Sequence, residues 1–507
     1  MIRQIATVSA GTLSSRLLGF VRDTLMASLL GAGPTADAFL FAFQLINVAR
    51  RLLSEGAFNA MLVPAFLRIR RNSGDDAARR FAGGVLGTTA AALVGATIAF
   101  GLAMPYLVGL LAPGFAQHDA FFAVTSARLM LPYLAFVGPV AVIMALLNAA
   151  GRVAQSAFTP LLFNLLLILV TLTLLIVRLG DAATAAKILA TTVGAAGLAQ
   201  AFVLAFPGTR MARPIQLSAD GDVLRLLQRT LPGALAQSGP QLLVVAGAIS
   251  ASLTPGSVAA IYFANRLIEL PLGIVGVAAG TVVLTKLSDG VTRAADAHAL
   301  QSRAVESALA LALPASIGLA ALAQPIVILL FRHGAFTADD AQRTALALAI
   351  LSTALPAHAL TKILAPNFFA RENFRFPLIA MIAGLGVTVA AALVLQPRYL
   401  EVSVATAIAL GAWTSVVVLI VMLLALKQFA LAEGGLRRLA LIMVAGLIMG
   451  AALYAARVAT GVDHVASFAA LIGSVAALIA GGLALYLGLL QLLGIFRVNE
   501  LLIALRR

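Results

Sequence analysis

The sequence predicts an all-α polytopic membrane protein with about fourteen transmembrane helices. Of its 507 residues, 61% are hydrophobic and only 11% are charged, and the mean hydropathy is +1.02. Apolar runs of about twenty or more residues recur along the whole chain, separated by turn residues or clusters of charge. A soluble protein of this size does not need so much apolar surface, so these runs are interpreted as bilayer-crossing helices.

The predicted spans follow from the positions of the apolar runs. Several exceed the length that a bilayer requires, so we expect tilted or protruding helices. Their limits are 4–31, 35–66, 82–111, 122–150, 158–178, 184–206, 231–253, 257–285, 302–331, 340–365, 376–396, 402–426, 438–458 and 465–490.

The orientation follows from the loops that carry arginine and lysine. The segments 68–80, 151–156, 208–214, 286–303, 370–377 and 427–438 and both termini are basic, whereas the alternate loops hold few basic residues. The positive-inside rule therefore predicts that both termini are cytoplasmic. The same rule explains the net charge of +15 without nucleic acid as a partner.

An internal repeat divides the first twelve predicted spans into two sixes. F-A-F-Q-L-I at 41–46 recurs as F-A-N-R-L-I at 263–268, and A-P-G-F at 112–115 is echoed by R-H-G-A-F at 332–336. Because six is even, the halves have the same orientation and are related by a pseudo-two-fold axis along the membrane normal. We expect two six-helix bundles at 1–217 and 218–430, with a substrate between them, and a C-terminal helix pair at 431–507.

Ionisable side chains inside the predicted spans indicate a polar cavity. A charge at the centre of a lipid-exposed helix costs about 2.5–3.5 kcal/mol on insertion scales, so such groups face protein, each other or water. Spacing suggests that Arg51 pairs with Glu55 at i,i+4 and that Arg266 pairs with Glu269 at i,i+3. Lys362 fits an internal counter-ion.

Four arginines form the predicted anion site, since planar guanidinium groups suit phosphate or carboxylate. They lie in spans one, two and eight and are Arg16, Arg22, Arg50 and Arg266. Ser15 and Asn47 are expected to face the same water-filled cavity. The alternative interpretation is that these charges only pair with one another between helices.

No sequence motif indicates an enzyme, a cofactor or a metal site. The chain contains no cysteine, which excludes disulfides, thiolate metal sites and cysteine nucleophiles. Its five histidines are scattered, and no P-loop, H-E-x-x-H or G-x-S-x-G motif occurs.

Several motifs resemble those of the MurJ (MviN) lipid II flippase family. They are S-S-R-L-L-G-F-V-R-D at 14–23, T-A-D-A-F at 35–39, the block that begins N-V-A-R-R-L-L-S-E-G-A-F at 47, and A-N-R-L-I-E-L-P at 264–271. The resemblance extends over essentially the whole chain. It implies a fold of the multidrug/oligosaccharidyl-lipid/polysaccharide exporter superfamily, with two six-helix lobes and a terminal pair that forms a groove for a lipid tail.

The resemblance also implies a substrate and site residues. The substrate would be lipid II, undecaprenyl-pyrophosphate bearing the peptidoglycan precursor, moved to the periplasmic leaflet of the bacterial inner membrane. The other implied partners are membrane lipids and cell-wall synthesis or division proteins. The family's essential cavity arginines correspond to Arg16, Arg22, Arg50 and Arg266, its essential acid corresponds to Asp37, and Ser15 and Glu55 also lie within its motifs.

Two positions depart from the family pattern. Where an acid often precedes the span-eight arginine, this chain has Asn265. Some relatives hold sodium through acids in spans seven and eleven, but 234–253 and 377–396 contain no Asp or Glu. The sequence therefore predicts no metal site of that kind and leaves the coupling ion open.

Three alternative functions are considered beside lipid II transport. Within the superfamily they are a flippase for another polyprenyl-linked glycan and a drug/cation antiporter. An antiporter should line its cavity with carboxylates and aromatic rings, which the excess of arginine argues against. The third is a non-transporting scaffold for cell-wall enzymes, which would tolerate neutralisation of the cavity charges.

Overall fold

The computed structural model describes most of the chain. The described residues are 2–54, 57–178, 180–209, 211–218, 220–221, 223–226, 228, 239–287, 294–369, 371, 373–399, 401–465 and 467–495. Side chains are described at these positions except 2–10, 12, 49, 51–54, 57–60, 206–209, 240, 274–287, 294–300, 396–399 and 401.

The chain forms two compact units. The N-terminal unit comprises Met1–Ala259 together with Gly334–Phe336, and the C-terminal unit comprises Ala260–His333 and Thr337–Arg507. The sequence-based lobe limits at 217/218 and 430/431 mark the ends of the repeats rather than of these units, and they stay a prediction.

The N-terminal unit is a bundle of long helices. They are α1 (Ile2–Leu30), α2 (Pro34–Ser54), α3 (Ala57–Leu111), α4 (Gln117–Met130), α5 (Pro132–Ala149), α6 (Val153–Val177), α7 (Ala182–Thr209) and α8 (Gly239–Ala251). Helix α1 packs along α6, α2 packs against α4, and α5 packs against both α3 and α7. Buried side chains of α3, α5 and the segment after α7, including Phe81, Leu146, Leu147 and Leu226, form one continuous core cluster.

Several helix boundaries differ from the predicted spans for local reasons. Predicted span four is two helices, because Pro132 has no backbone N–H to continue α4. Helix α3 begins at Ala57 and runs through the loop predicted between spans two and three, with a single non-helical residue at Gly74 (φ 86°, ψ 174°). Glycine adopts this conformation without a Cβ clash, so the helix changes direction there at little cost.

Helix α9 (Ser257–Leu287) begins in the N-terminal unit and continues into the C-terminal unit. The other helices of the C-terminal unit are α10 (Ala294–Ala321), α11 (Ala323–Phe331), α12 (Ala338–Leu351), α13 (Leu355–Phe369), α14 (Arg375–Tyr399), α15 (Glu401–Ala425), α16 (Gly435–Thr460) and α17 (Phe468–Leu492). Helix α14 packs along α15, and α10 packs against α13 and α16. Helix α12 begins with a capping box in which Thr337 and Asp340 exchange hydrogen bonds of 3.2 and 2.9 Å.

The terminal pair, α16 and α17, packs through small residues. A Cβ at Gly482 would lie 2.9–3.1 Å from the side chain of Leu453. The side chain of Ile317 on α10 packs against Gly446 and Gly450. A Cβ at Gly473 would meet no atom of the described residues within 4 Å. The lipid-tail groove predicted for this pair stays a prediction.

The fold class predicted from the sequence is confirmed. In the described part of the chain, ten helical segments are long and apolar enough to cross a membrane. The chain is therefore an all-helical, multi-pass membrane protein. The count of about fourteen spans and the arrangement of two six-helix bundles stay predictions.

Two glycine turns related by the sequence repeat make matching contacts within the N-terminal unit. The N–H of Gly114 donates to Ser252 Oγ at the end of α8 (3.1 Å). The N–H of Ala335 donates to the carbonyl of Ser28 near the end of α1 (2.8 Å), and a Cβ at Gly334 would lie 2.4 Å from that carbonyl oxygen. Such close approach of two backbones requires glycine, which explains the G residue shared by A-P-G-F and R-H-G-A-F.

Candidate functional site

Arg22 lies at the centre of a buried polar network in the N-terminal unit. The Arg22 side chain is 6% exposed, and its Nε and Nη2 donate to Oδ1 of Asp23 at 2.8 and 2.6 Å. Its Nη1 donates to Oδ1 of Asn164 on α6 at 3.0 Å. The Asn164 amide in turn donates to the backbone carbonyl of Ser15 (3.0 Å), so the network joins α1 to α6.

Two aromatic rings cover the same guanidinium. The Cζ atom of Arg22 lies 5.0 Å from the ring centre of Phe43 on α2 and 5.6 Å from that of Phe163 on α6. The two rings are stacked with centres 6.4 Å apart. Cation–π attraction of this kind is worth about 2 kcal/mol or more when the cation is removed from water, so the rings help to hold a charge inside the unit.

Arg50 approaches the network from α2. Its Cζ lies 5.9 Å from the Phe163 ring centre, and its Nε donates to Oδ1 of Asn47 at 3.2 Å. Because the distances of Arg22 and Arg50 from this ring centre add to 11.5 Å, their guanidinium carbons are no farther apart than that. Two of the predicted arginines therefore lie close together.

Four further residues of the predicted site belong to the N-terminal unit: Ser15, Arg16, Arg51 and Glu55. Arg16 is half-buried on α1, directly after Ser15, whose Oγ lies 3.5 Å from the Asn164 amide nitrogen. Glu55 lies outside the described residues, as does the side chain of Arg51.

Asp37 has a different environment from the arginines. Its carboxylate is 2% exposed and accepts the N–H of Gly256 at 2.5 Å and the N–H of Ala259 at 2.8 Å. It therefore caps the N-terminus of α9 from the first turn of α2, where its charge also suits both helix dipoles. Since thirteen residues of helix separate it from Arg50, the two lie about 20 Å apart along α2. They do not share a ligand the size of a diphosphate.

The remaining predicted residues lie in the C-terminal unit. The ion pair predicted from the spacing of Arg266 and Glu269 is present, with Nη1 2.8 Å from Oε2 and side chains 17% and 25% exposed. Asn265 is half-buried beside Arg266, and Lys362 is exposed on α13. The described residues contain no group of histidine and acidic side chains that could hold a metal ion.

Sequence reasoning missed several residues of the buried network. They are Asn164, Phe43 and Phe163, together with the role of Asp23 as the partner of Arg22. A single asparagine inside the apolar run L-L-F-N-L-L-L of α6 was the available signal, because a buried amide needs hydrogen-bond partners.

These features define a multi-pass helical membrane protein with guanidinium groups held inside its N-terminal unit. Known proteins of the same kind are similar over most of the chain. The family described as lipid II flippase MurJ matches residues 26–475. The chain belongs to this family, which consists of transporters rather than enzymes, as the sequence predicts.

Named relatives agree with this assignment. A probable lipid II flippase MurJ of Rhizobium meliloti is 38% identical over 466 residues, which cover 90% of this chain and 86% of the relative. The lipid II flippase MurJ of Burkholderia cenocepacia is 31% identical over 424 residues, which cover 81% of each chain.

Solved structures show the same fold. A lipid II flippase MurJ in an inward closed conformation superposes with a TM-score of 0.78 at 21% identity, covering 96% of this chain and 98% of the other. An inward-facing multidrug resistance MATE family transporter of the MOP superfamily gives a TM-score of 0.65 at 18% identity, covering 84% and 95%. At these identities, the similarity concerns the fold alone.

Proposed function

We propose that this protein translocates lipid II from the cytoplasmic to the periplasmic leaflet by alternating access, with the pyrophosphate bound by arginines. The relatives' names support the substrate, and the likeness to transporters of the MOP superfamily supports alternating access. The observation that carries the arginine assignment is the convergence of Arg22 and Arg50 on one ring, Phe163, among membrane-spanning helices.

The network gives Arg22 a defined role in this scheme. Without a ligand, the Asp23 carboxylate neutralises Arg22, while the Asn164 amide and two aromatic rings fix the plane of its guanidinium. A diphosphate arriving near Phe163 would offer Arg22 and Arg50 more negative charge than one carboxylate does. Binding would require Arg22 to exchange the Asp23 carboxylate for phosphate oxygens, which accept the paired N–H groups of a guanidinium as a carboxylate does.

The same residues disfavour a drug/cation antiporter. Near Phe163 the carboxylate of Asp23 is already engaged by Arg22, so this part of the described structure offers a cation little unneutralised negative charge. Aromatic rings are present, but arginine covers them.

Depletion in a bacterial host tests the function. When the host flippase is depleted, lipid II should accumulate on the cytoplasmic face, and expression of this chain should return it to the periplasmic face and restore growth. A vector expressing an unrelated multi-pass protein is the control. Growth without removal of the accumulated lipid II would refute the proposed substrate.

We infer that the protein lies in the bacterial inner membrane with both termini in the cytoplasm. Because the chain has no cysteine, single cysteines can be labelled without background. Arg71→Cys and Glu433→Cys should react with a membrane-impermeant thiol reagent only after the cells are opened. His118→Cys and His464→Cys, also at exposed positions, should react in intact spheroplasts. Labelling of Arg71→Cys in intact spheroplasts would reverse the orientation.

A further inference from the structure

A basic cavity on the N-terminal unit is lined by residues other than the arginines of the predicted substrate site. It has a volume of about 560 Å³ and is lined by Asp76, Arg79, Arg80, Arg213 and Pro214. Three guanidinium groups and one carboxylate therefore surround one space. It belongs to the loops 68–80 and 208–214, which the distribution of basic residues predicts to be cytoplasmic.

The two walls of this cavity are held together by close backbone contacts at Gly83 and Gly87 of α3, here called the glycine seam. The segment 212–218 runs along α3, where a Cβ at Gly83 would lie 2.0 Å from the carbonyl oxygen of Pro214 and a Cβ at Gly87 would lie 2.3 Å from that of Gln216. Ser218 N–H donates to Thr88 Oγ1 at 3.0 Å, which fastens the far end of the segment. The seam holds Arg213 beside the turn of α3 that carries Arg79 and Arg80.

The hydrophobic core also anchors this segment. Ala212 is fully buried in the core cluster that includes Phe81 and Ala82 of α3. The cavity is therefore a formed feature of the fold, and its lining residues come from elements that cannot separate without opening the core.

The charges in the cavity are not balanced from within. Asp75 is occupied by Arg70, at 2.6 Å, which leaves Asp76 as the one carboxylate of the lining. In the part of the chain that the structure describes, Arg79, Arg80 and Arg213 form no ion pair with an acidic side chain. Like charges held together in this way are stabilised by an anion, and guanidinium groups bind phosphate oxygens in pairs.

Large apolar side chains next to Arg213 indicate which kind of molecule bears the anionic group. Ile215 is 52% exposed and Leu217 is 74% exposed, at alternate positions after Arg213. Exposed aliphatic residues beside a basic cluster are typical of surfaces that lie at the boundary between lipid headgroups and acyl chains. A soluble phosphate compound would gain nothing from Ile215 and Leu217.

We propose that this cavity binds the anionic phosphate headgroup of a membrane lipid at the cytoplasmic surface, with Arg79, Arg80 and Arg213 as its ligands. Ile215 and Leu217 contact the adjoining acyl chains. The binding site is separate from the proposed transport site and does not depend on which lipid is transported.

Native mass spectrometry of the purified full chain tests the proposal. Phosphatidylglycerol, phosphatidylcholine, farnesyl diphosphate and inorganic pyrophosphate are the probes, and the retained adducts are measured. One basic residue near an anionic surface contributes roughly a fivefold change in lipid affinity. The variant Arg79→Gln/Arg80→Gln/Arg213→Gln removes three and should therefore bind the lipid at least roughly fivefold more weakly. The control variant Arg68→Gln/Arg71→Gln/Arg152→Gln removes the same charge from exposed positions outside the cavity lining and should retain the adducts.

The probes separate the possible sources of the phosphate. Only adducts that the Arg79→Gln/Arg80→Gln/Arg213→Gln variant loses are assigned to the cavity. Among these, phosphatidylglycerol over phosphatidylcholine indicates an anionic phospholipid and selective farnesyl diphosphate indicates a prenyl diphosphate; both support the proposal. The variant Ile215→Ser/Leu217→Ser should weaken retention of either lipid severalfold. The proposal is overturned if only pyrophosphate is retained, or if the two triple variants lose lipid equally. Thermal unfolding of each variant, measured alongside, identifies any that is misfolded. In that case Arg79→Lys/Arg80→Lys/Arg213→Lys, which keeps the charge but lacks paired donors, should retain less lipid than the unaltered protein, and equal retention would overturn the proposal.

Discussion

Arg22→Ala should destabilise the N-terminal unit by up to about 3–5 kcal/mol, because it removes the guanidinium that is ion-paired with the buried Asp23 carboxylate. The Asp23 carboxylate is fully buried and accepts two hydrogen bonds from Arg22. The Asn164 carbonyl oxygen would lose its charged donor as well. We expect a marked fall in the amount of protein in the membrane, measured by quantitative immunoblotting, and loss of growth support in the depleted host.

Removing both charges separates the structural role of Arg22 from its proposed role in binding. In Arg22→Gln/Asp23→Asn both members of this buried ion pair are neutral, so the amount of protein should recover, at least in part. Growth support should stay lost, because an amide does not replace a guanidinium opposite a diphosphate. Arg128→Ala is the matched control: this exposed arginine of the same unit makes one hydrogen bond, to the carbonyl of Gly101, and its loss should change little.

One result would contradict the binding role. If the double variant restores both the amount of protein and growth, Arg22 serves only to neutralise Asp23, and the proposed diphosphate site loses its best-defined residue. Arg22→Lys adds a second criterion, since lysine keeps the charge but has no fork of paired donors. It should preserve the amount of protein better than alanine and still reduce transport.

The sequence predicted interactions along one helix better than interactions between helices. Arg266 and Glu269 are three residues apart, and this spacing predicted their ion pair correctly. The partner of Arg22 on α6, Asn164, is 142 residues away, and the amides bound by Asp37 are 219 and 222 residues away. Helical periodicity gives the face of a residue but not the helix that packs against that face.

Burial changes the interpretation of the charged residues in a similar way. Arg22 has no acidic residue three or four positions away in the sequence, and its ion pair is instead with the adjacent Asp23. Adjacent residues on a helix do not normally face each other, yet the long arginine side chain reaches back to Asp23 at 2.6 Å. Where no water is available, two such charges pair rather than remain apart, because desolvation makes an isolated charge costly.

Asp37→Ala should open the start of α9 and increase hydrogen exchange there. The substitution removes the acceptor of two buried N–H groups, and the loss of a helix cap costs about 0.5–2 kcal/mol, with about 1–3 kcal/mol for each donor left unsatisfied. Exchange at Gly256 and Ala259, followed by mass spectrometry of peptides that cover this turn, should rise by more than tenfold. Asp37→Asn should be intermediate, because one amide oxygen replaces two carboxylate oxygens and the amide N–H₂ cannot accept.

The neighbouring acid provides the control for this prediction. Asp119 lines the same small cavity as Asp37, of about 100 Å³, but its described partner is the exposed His118, at 3.4 Å. Asp119→Ala should therefore leave exchange at Gly256 and Ala259 unchanged. Because the proposed alternating access would open and close this end of the protein, we expect Asp37→Ala to impair growth support and Asp119→Ala to retain it. Unchanged exchange in Asp37→Ala, with growth lost, would mean that Asp37 acts on the substrate rather than on α9.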